Sequence, residues 1–305
     1  MSGNQALSTN YNVAPQADLS ITDHASDWYF AVCAIMTVST LAFMAMSMGQ
    51  PRGNRLFHYI TAGITMVAAI AYFSMGAGLG QAPINVEFPR PGSAQVGSAG
   101  SREIFYVRYI DWFVTTPLLL LDLLLTAGLP TATILITILA DEVMIVTGLV
   151  GALTSSSYKW GYFVFGMLAF FFVFYQVAIV GLPAARALGA QPGSVYLRCG
   201  VLTLGIWFLY PIAWGISEGG NVIHPDSEAI FYGILDVIAK PIFGFMLILG
   251  HRNIAPADLG LNLRESAVGG AAGTTGTEKR SNGFFSRKHA TGTDGHATTN
   301  TTTTV

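Results

Sequence analysis

Charged side chains are scarce in this sequence. Only 10% of its 305 residues are Asp, Glu, Lys or Arg, whereas 52% are hydrophobic. A typical soluble domain has about 25% charged residues, and a chain with so few cannot cover a water-exposed surface with polar groups. The composition therefore favours a membrane protein and argues against a disordered scaffold.

Several other classes are excluded by what the sequence has little of. The two cysteines, Cys33 and Cys199, are too few for a disulfide framework. A net charge of -2 provides no electrostatic reason to expect a nucleic-acid partner. The six histidines lack metal-ligand spacing, so we expect no metal site. The glycines at 76, 78 and 80 follow an apolar segment rather than a strand, which argues against a nucleotide site.

Long apolar runs take the place of the missing charges. A membrane-spanning helix needs about 20 mostly apolar residues. Seven stretches meet this requirement: 28–48, 57–79, 104–127, 131–153, 160–182, 199–217 and 227–250. We expect an all-α membrane protein built as a seven-transmembrane-helix bundle. In the connection between the second and third spans, residues 84–88 lie between prolines and glycines, a pattern compatible with a short β-hairpin.

The spans divide the chain into three parts. We expect an extracellular N-terminal segment (1–27), a seven-helix domain (28–252) and a cytoplasmic tail (253–305). The Gly, Ser and Thr content of the tail predicts disorder. Lys and Arg are more frequent in the loops on one side, and this bias places the N-terminus outside and the C-terminus in the cytoplasm. The expected location of this multi-pass protein is the plasma membrane.

A few ionisable residues remain inside the predicted spans. Each costs several kcal/mol in a bilayer, so by default it indicates function. The set comprises Arg108, Asp111, Asp122, Asp141, Glu142, Asp236 and Lys240. Lys240 is the only lysine within any of these spans.

Helical spacing groups part of this set on one face. Arg108, Asp111, Thr115 and Asp122 fall on a single stripe of the third span. Asp111 and Asp122 are eleven residues apart, roughly 16 Å along the axis, so they cannot share a proton directly. Two carboxylates and a lysine near the middle of the membrane, with a further carboxylate displaced along the stripe, favour a proton relay.

Structural roles remain open for each of these residues taken alone. The pairs at 108 and 111 and at 236 and 240 could be neutralising salt bridges, which are weak indicators of function. The adjacent carboxylates of the fourth span face different ways, and an interhelical hydrogen bond would explain at least one of them.

An aromatic stripe lies on the sixth span. Trp207, Tyr210, Pro211 and Trp214 recur on one helical face. Such a stripe can be core packing or an interfacial belt, but Trp207 lies in mid-span. Together with Trp112 of the third span, these residues could wall a flat, apolar ligand.

Four runs of the sequence resemble the microbial (type 1) rhodopsins. Residues 108–122 resemble their third helix, 141–151 their fourth, 207–214 their sixth and 235–240 their seventh, with its retinal-binding lysine. The resemblance covers about residues 28–252. It is strongest to the bacteriorhodopsin-like members and, among them, to the fungal proton-pumping branch.

The resemblance implies all-trans-retinal bound to Lys240 as a protonated Schiff base. A lysine amine forms an imine with an aldehyde, and the buried cation that results needs anions nearby. By the resemblance, Asp111 and Asp236 are its counterions. Arg108 holds both of them ionised and acts as the gate toward the outside.

The same resemblance assigns the proton path. Asp111 is the proton acceptor, and Thr115 forms a hydrogen bond with its carboxylate. Asp122 is the cytoplasmic proton donor and rests protonated. Glu228 and Glu218 form the release group. Glu228 keeps the family's offset from the seventh-helix aspartate, whereas the interval before Glu218 is one residue shorter than in bacteriorhodopsin.

A retinal pocket is also implied, with Tyr72 nearby. Its residues by the resemblance are Tyr109, Trp112, Thr116, Leu119, Met144, Gly148, Trp207, Tyr210, Trp214 and Lys240. The implied function is a light-driven outward proton pump, a transporter rather than an enzyme. Its partners are retinal, membrane lipid and protons.

Two alternatives to the pump remain to be separated by experiment. One is a sensory photoreceptor with a slow photocycle that signals through a partner docked on the tail. Sensory members of the family often lack a carboxylic acid at the position of Asp122, and chloride pumps lack the acid at the position of Asp111. The other alternative is an opsin-related structural protein without chromophore, against which Lys240 argues. The sequence does not choose between a dimer and a trimer as the homo-oligomer.

Overall fold

A computed structural model describes residues 4–12, 16–89 and 100–261. Seven long helices in these residues are long and apolar enough to cross a membrane, which confirms the predicted seven-helix bundle. The helices are α1 (Ala6–Asn10), α2 (Asp23–Met48), α3 (Leu56–Gly76), α4 (Tyr106–Thr126), α5 (Thr131–Ala152), α6 (Lys159–Leu188), α7 (Ala190–Gly219) and α8 (Pro225–Asn253). Short 3₁₀ turns cover Arg52–Asn54 and Pro256–Leu259.

The bundle is apolar outside and polar inside. Large hydrophobic side chains such as Val38, Leu41 and Val164 are exposed on the outer faces. Arg108 and Asp111, by contrast, are each only 1% exposed. A helix satisfies all of its backbone groups internally, so its outer face can be wholly apolar in lipid. The few charged residues within the spans can therefore face the interior of the bundle.

Three of the long helices contain a wide π turn. These turns are at Gln176–Gly181 within α6, at Gly215–Gly219 at the end of α7 and at Ile238–Ile242 within α8. The third contains Lys240 and Pro241. Proline has no N–H for the helical hydrogen-bond ladder, and a local π turn is one way in which membrane helices accommodate it. This irregular turn therefore positions the lysine in the middle of α8.

A two-stranded antiparallel hairpin lies between α3 and α4. Strand β1 (Ala82–Asn85) pairs with β2 (Ser101–Ile104), as the sequence predicted for this connection. Leu19 also bonds to β2: its N–H donates to the Ser101 carbonyl at 2.9 Å, and its carbonyl accepts from the Glu103 N–H at 2.8 Å. The hairpin and the N-terminal segment thus cover the same end of the bundle.

The prediction of a long loop between the fifth and sixth spans is wrong. Hydropathy placed it over 183–198, but α6 runs to Leu188 and α7 starts at Ala190, so that only Gly189 separates them. Its φ of +139° is a conformation that glycine adopts readily. The length of an apolar run in the sequence reflects the thickness of the bilayer, whereas a helix ends where its backbone hydrogen bonds end. The tail beyond 261, with its predicted disorder, lies outside the described residues.

Close approach of α8 to α3 and α2 depends on Gly244. A Cβ at this position would overlap Cγ2 of Thr61 and lie 2.8 Å from Cζ of Phe43. Gly205 of α7, by contrast, has no atom within 4 Å of such a Cβ.

We therefore expect Gly244→Ala to destabilise the protein by about 1–3 kcal/mol through overpacking. Gly205→Ala should be neutral or stabilising, because alanine has the higher helix propensity. The measurement is the thermal midpoint of helical circular dichroism in detergent. Equal midpoints for the two variants would contradict the close packing at Gly244.

Candidate functional site

A buried cation and two buried carboxylates meet at the centre of the bundle. Lys240 Nζ lies 2.5 Å from Oδ2 of Asp111 and 3.2 Å from Oδ2 of Asp236. All three residues are about 1% exposed. Burying an unpaired charge is very costly, so each member of this cluster depends on the others.

Hydrogen bonds from three helices hold the two carboxylates. Asp236 accepts from the hydroxyl of Tyr72 at 2.7 Å and from that of Tyr210 at 2.5 Å. The hydroxyl of Thr115 donates to the main-chain carbonyl of Asp111 at 2.8 Å and also faces its carboxylate. Oδ1 of Asp111 has no hydrogen-bond partner among the described residues. The acceptor expected from the sequence therefore keeps one oxygen open.

An apolar cavity adjoins Lys240. Trp112 lies edge-to-face with Tyr210, with ring centroids 5.2 Å apart, and Phe163 stacks on Trp214 at 5.2 Å. The structure brings all the pocket residues expected from the sequence into this cavity: Tyr109, Trp112, Thr116, Leu119, Met144, Gly148, Trp207, Tyr210, Trp214 and Lys240.

Sequence reasoning missed part of the wall. The cavity is also lined by Ile145, Tyr162, Met167, Phe170 and Ala239. Most of these are ordinary apolar residues of membrane helices, and no local signal separates them from lipid-facing neighbours. With flat aromatic walls and one amine, the residues present fit a conjugated apolar aldehyde such as the retinal implied by the resemblance.

Arg108 faces away from the lysine cluster. Its Nη1 lies 2.5 Å from Oε1 of Glu228 and 3.3 Å from Oε1 of Glu218, and its Nη2 donates to the Tyr29 hydroxyl at 2.9 Å. The alternative of a neutralising salt bridge between Arg108 and Asp111 does not fit this geometry, because the ion pairs of Arg108 among the described residues are with the two glutamates. The Tyr232 ring packs against the guanidinium, 4.3 Å from its centre.

Glu218 reaches this cluster from the π turn at the end of α7. It accepts hydrogen bonds from Tyr109 at 3.2 Å and from Tyr232 at 3.1 Å. Lys159, which the sequence placed in a loop, is buried and donates to the Glu218 main-chain carbonyl at 3.4 Å. The shorter interval before Glu218 therefore does not remove it from the group around Arg108.

Arg102 of β2 is a site residue that sequence reasoning missed. Its Nη2 lies 2.6 Å from Oε2 of Glu228, and its Nη1 donates to Oδ1 of Asn221 at 2.8 Å. Glu228 is therefore held between two guanidinium groups, those of Arg102 and Arg108. In the sequence, Arg102 reads as a solvated loop charge, and only the folding of the hairpin over the bundle buries it.

Asp122, near the other end of α4, forms no ion pair with any cation of the described residues. It is fully buried, and its Oδ2 accepts from the Thr61 hydroxyl at 3.0 Å, while Oδ1 has no partner among the described residues. Leu120 and Leu123, beside it in α4, belong to the buried apolar core. A carboxyl in such surroundings is stable there only when neutral or when transiently charged.

The two adjacent carboxylates of α5 point in different directions, as neighbouring residues on a helix must. Asp141 is buried, and its Oδ2 accepts from the Thr116 hydroxyl of α4 at 2.6 Å. Glu142 is partly exposed. The interhelical hydrogen bond considered for one member of this pair is therefore present at Asp141.

Comparison with known proteins places these features in a family. Residues 24–254 match the family described as bacteriorhodopsin-like protein. The opsin-like protein carO of Fusarium fujikuroi is 58% identical over 86% of this chain and 85% of its own length. Two solved structures are also similar. One is a light-driven proton pump from Leptosphaeria maculans, at 37% identity and a TM-score of 0.73, covering 78% of this chain and 98% of that one. The other is halorhodopsin, a light-driven chloride pump, at 26% identity and a TM-score of 0.69, covering 78% and 98%.

Glu103 forms a second buried acid group beside the Arg102–Glu228 pair. Its Oε1 accepts from the Tyr11 hydroxyl at 2.6 Å and its Oε2 from the Ile21 N–H at 2.9 Å. Burial raises the pKa of the Glu103 carboxyl to about 7. The neutral form is therefore favoured in the folded protein, and its contribution to stability is present at low pH and is lost as the pH rises through about 7.

We expect Glu103→Gln, which mimics the neutral carboxyl, to remove this loss of stability with rising pH. Between pH 5 and pH 8 the variant should gain about 1–3 kcal/mol over the wild type. The measurement is the thermal midpoint across that pH range, with the exposed Asp27→Asn as control. A constant difference between Glu103→Gln and wild type would contradict the assignment.

Proposed function

We propose that this chain, which belongs to the bacteriorhodopsin-like family, is a light-driven outward proton pump with retinal bound at Lys240. Members of the family bind retinal and are light-driven ion transporters rather than enzymes. The observation that carries the proposal is the pair of buried aspartates on α4. Asp111 contacts the lysine amine, and Asp122 lies eleven residues further along with no cation partner in the described part of the chain.

All-trans-retinal, bound to Lys240 Nζ as a protonated Schiff base, would supply light absorption and isomerisation. The protein's own groups then move the proton. Oδ2 of Asp111, 2.5 Å from Nζ, receives it. Asp236, which accepts hydrogen bonds from two tyrosine hydroxyls, is the second carboxylate beside Nζ. Because both carboxylates already lie beside Nζ, the transfer needs no rearrangement of the backbone.

Release toward the outside uses the cluster around Arg108. Glu228 receives hydrogen bonds from two guanidinium groups, whereas Glu218 has one guanidinium at 3.3 Å and two tyrosine hydroxyls. A carboxylate that accepts from two cations binds a proton weakly. Glu218 is therefore the member of the release group that carries the proton, and Arg108 is the gate between it and Asp111.

Asp122 returns a proton to Nζ from the opposite end of α4. Its carboxyl is buried among leucines, and none of the residues that the structure describes supplies it with a cation, which favours a proton-carrying resting state. Donation to Nζ through an apolar region makes the return path one-way. The Lys and Arg bias of the loops puts this end in the cytoplasm, so the net transport is outward.

A proton, rather than chloride, is the ion that the site suits. One similar structure is a chloride pump, but here a carboxylate contacts Nζ. Its negative charge occupies the position where a transported anion would have to be held. The proposal extends to a plasma-membrane location with the N-terminus outside, a seven-helix domain over 28–252, and a tail over 253–305.

Illuminated vesicles or cells carrying the protein with all-trans-retinal should acidify the side to which the N-terminus is exposed, and an uncoupler should abolish the signal. Lys240→Ala should show no visible absorption band and no pH change. The measurement combines absorption spectroscopy with a pH electrode. A pigmented wild type without light-dependent proton movement would refute the pump.

Asp122→Asn should slow the return of the proton to Nζ on the order of a hundredfold, because the neutral amide has no proton to donate. Flash photolysis in the visible range measures this rate. Glu142→Gln, which alters a partly exposed carboxyl on α5, should leave the rate nearly unchanged. Proton return in milliseconds supports pumping and proton return in seconds supports the sensory alternative, and an unaffected Asp122→Asn would remove Asp122 as donor.

A further inference from the structure

A second cavity lies at the Asp122 end of the bundle, away from Lys240. It has a volume of about 230 Å³, and its lining includes His58 of α3 and His251 of α8. Arg252, which also lines it, is exposed, and Gln50 is half-buried, so the cavity reaches the surface. Its polar lining and size can accommodate water. Imidazole is the side chain that gains and loses a proton near neutral pH.

His251 connects this cavity to the donor aspartate. Its Nε2 lies 3.1 Å from Oγ1 of Thr126, and its Nδ1 lies 2.8 Å from the Leu247 carbonyl. The Thr126 hydroxyl in turn lies 2.7 Å from the main-chain carbonyl of Asp122, one helical turn earlier. The ring stacks on Phe57 at a centroid distance of 4.3 Å. The imidazole is therefore held in one orientation, with Nε2 directed toward α4.

The hydrogen bonds of this group suit both protonation states of His251. The Leu247 carbonyl can only accept, so Nδ1 carries a hydrogen. When Nε2 is protonated, it donates to Thr126, whose hydroxyl donates to the Asp122 carbonyl. When Nε2 is neutral, the hydroxyl rotates and donates to it. Only one hydroxyl has to turn between the two states.

Among the described residues, the imidazole of His251 forms no ion pair. The titratable or charged groups near it are His58 on α3, Arg252 next to it in the chain, and Asp122 with Cys199 toward the centre of the bundle. Asp122 is the acid among them, and its Oδ1 has no partner in the described part of the chain. A proton leaving His251 toward the interior is thus directed to Asp122.

We propose that His251 is the proton-relay residue that reloads Asp122 from solution. This inference rests on the proposed pump. After Asp122 has donated its proton, Nε2 gives up its proton toward the Thr126 hydroxyl, which lies between the imidazole and α4, and Oδ1 of the ionised carboxylate takes one up. A neutral imidazole and a neutral carboxyl result. Water in the cavity then returns one proton to Nε2.

The test follows proton uptake in vesicles containing the retinal-loaded protein, with a pH-indicating dye on the Asp122 side and the infrared carboxyl band of Asp122. His251→Gln should slow uptake and the recovery of that band on the order of a hundredfold. The first transfer from Asp122 to Nζ should stay at its wild-type rate. Imidazole added to the buffer should restore uptake, and the dependence of uptake on pH should lose one titration step.

His24→Gln, an exposed histidine in the first turn of α2, serves as the matched control and should behave as wild type. Thr126→Val interrupts the same connection without changing the imidazole and should also slow uptake, which covers a His251 variant that fails to fold. Uptake at the wild-type rate in Thr126→Val or in folded His251→Gln would overturn the relay while leaving the pump intact. A wild-type protein without light-driven proton movement would overturn both.

Discussion

The ammonium group of Lys240, buried between the carboxylates of Asp111 and Asp236, is the interaction on which the rest of the structure depends. None of the three charges could be buried alone without a cost of many kcal/mol. Four helices must therefore meet at one level: α8 supplies the lysine and one aspartate, α4 the other, and α3 and α7 the tyrosines that hold Asp236. The π turn around Pro241 places the amine at that level.

Electrostatic contrast between the two ends of α4 provides direction. Toward Glu228 the interior is dense with charge, because two guanidinium groups and two glutamates are buried together. Around Asp122 the interior is largely apolar, and the carboxyl there bonds to the hydroxyl of Thr61 rather than to a cation of the described residues. A proton on the central amine therefore faces ready acceptors on one side and a donor in an apolar region on the other. A difference in surroundings, rather than in residue type, separates the roles of the aspartates.

The ends of the bundle are closed by segments outside the spans. The hairpin and the N-terminal segment bring Arg102, Glu103 and Tyr11 over the charged end. At the other end, the last turn of α8 brings His251 to Thr126. Both closures are polar and partly buried, as expected where protons must cross between protein and water without general access of solvent.

The sequence by itself determined the seven helices, the inward stripe of α4 and the cavity-lining aromatics, because apolar length and helical periodicity are local properties. Which charges pair was decided only by tertiary structure. The sequence placed Arg102 in the connection between the second and third spans but did not show its burial against Glu228. It left open whether Arg108 pairs with Asp111, and it predicted a long loop where only Gly189 separates two helices. Ion pairs join residues distant in the chain, and hydropathy records lipid thickness rather than the end of a hydrogen-bonded helix.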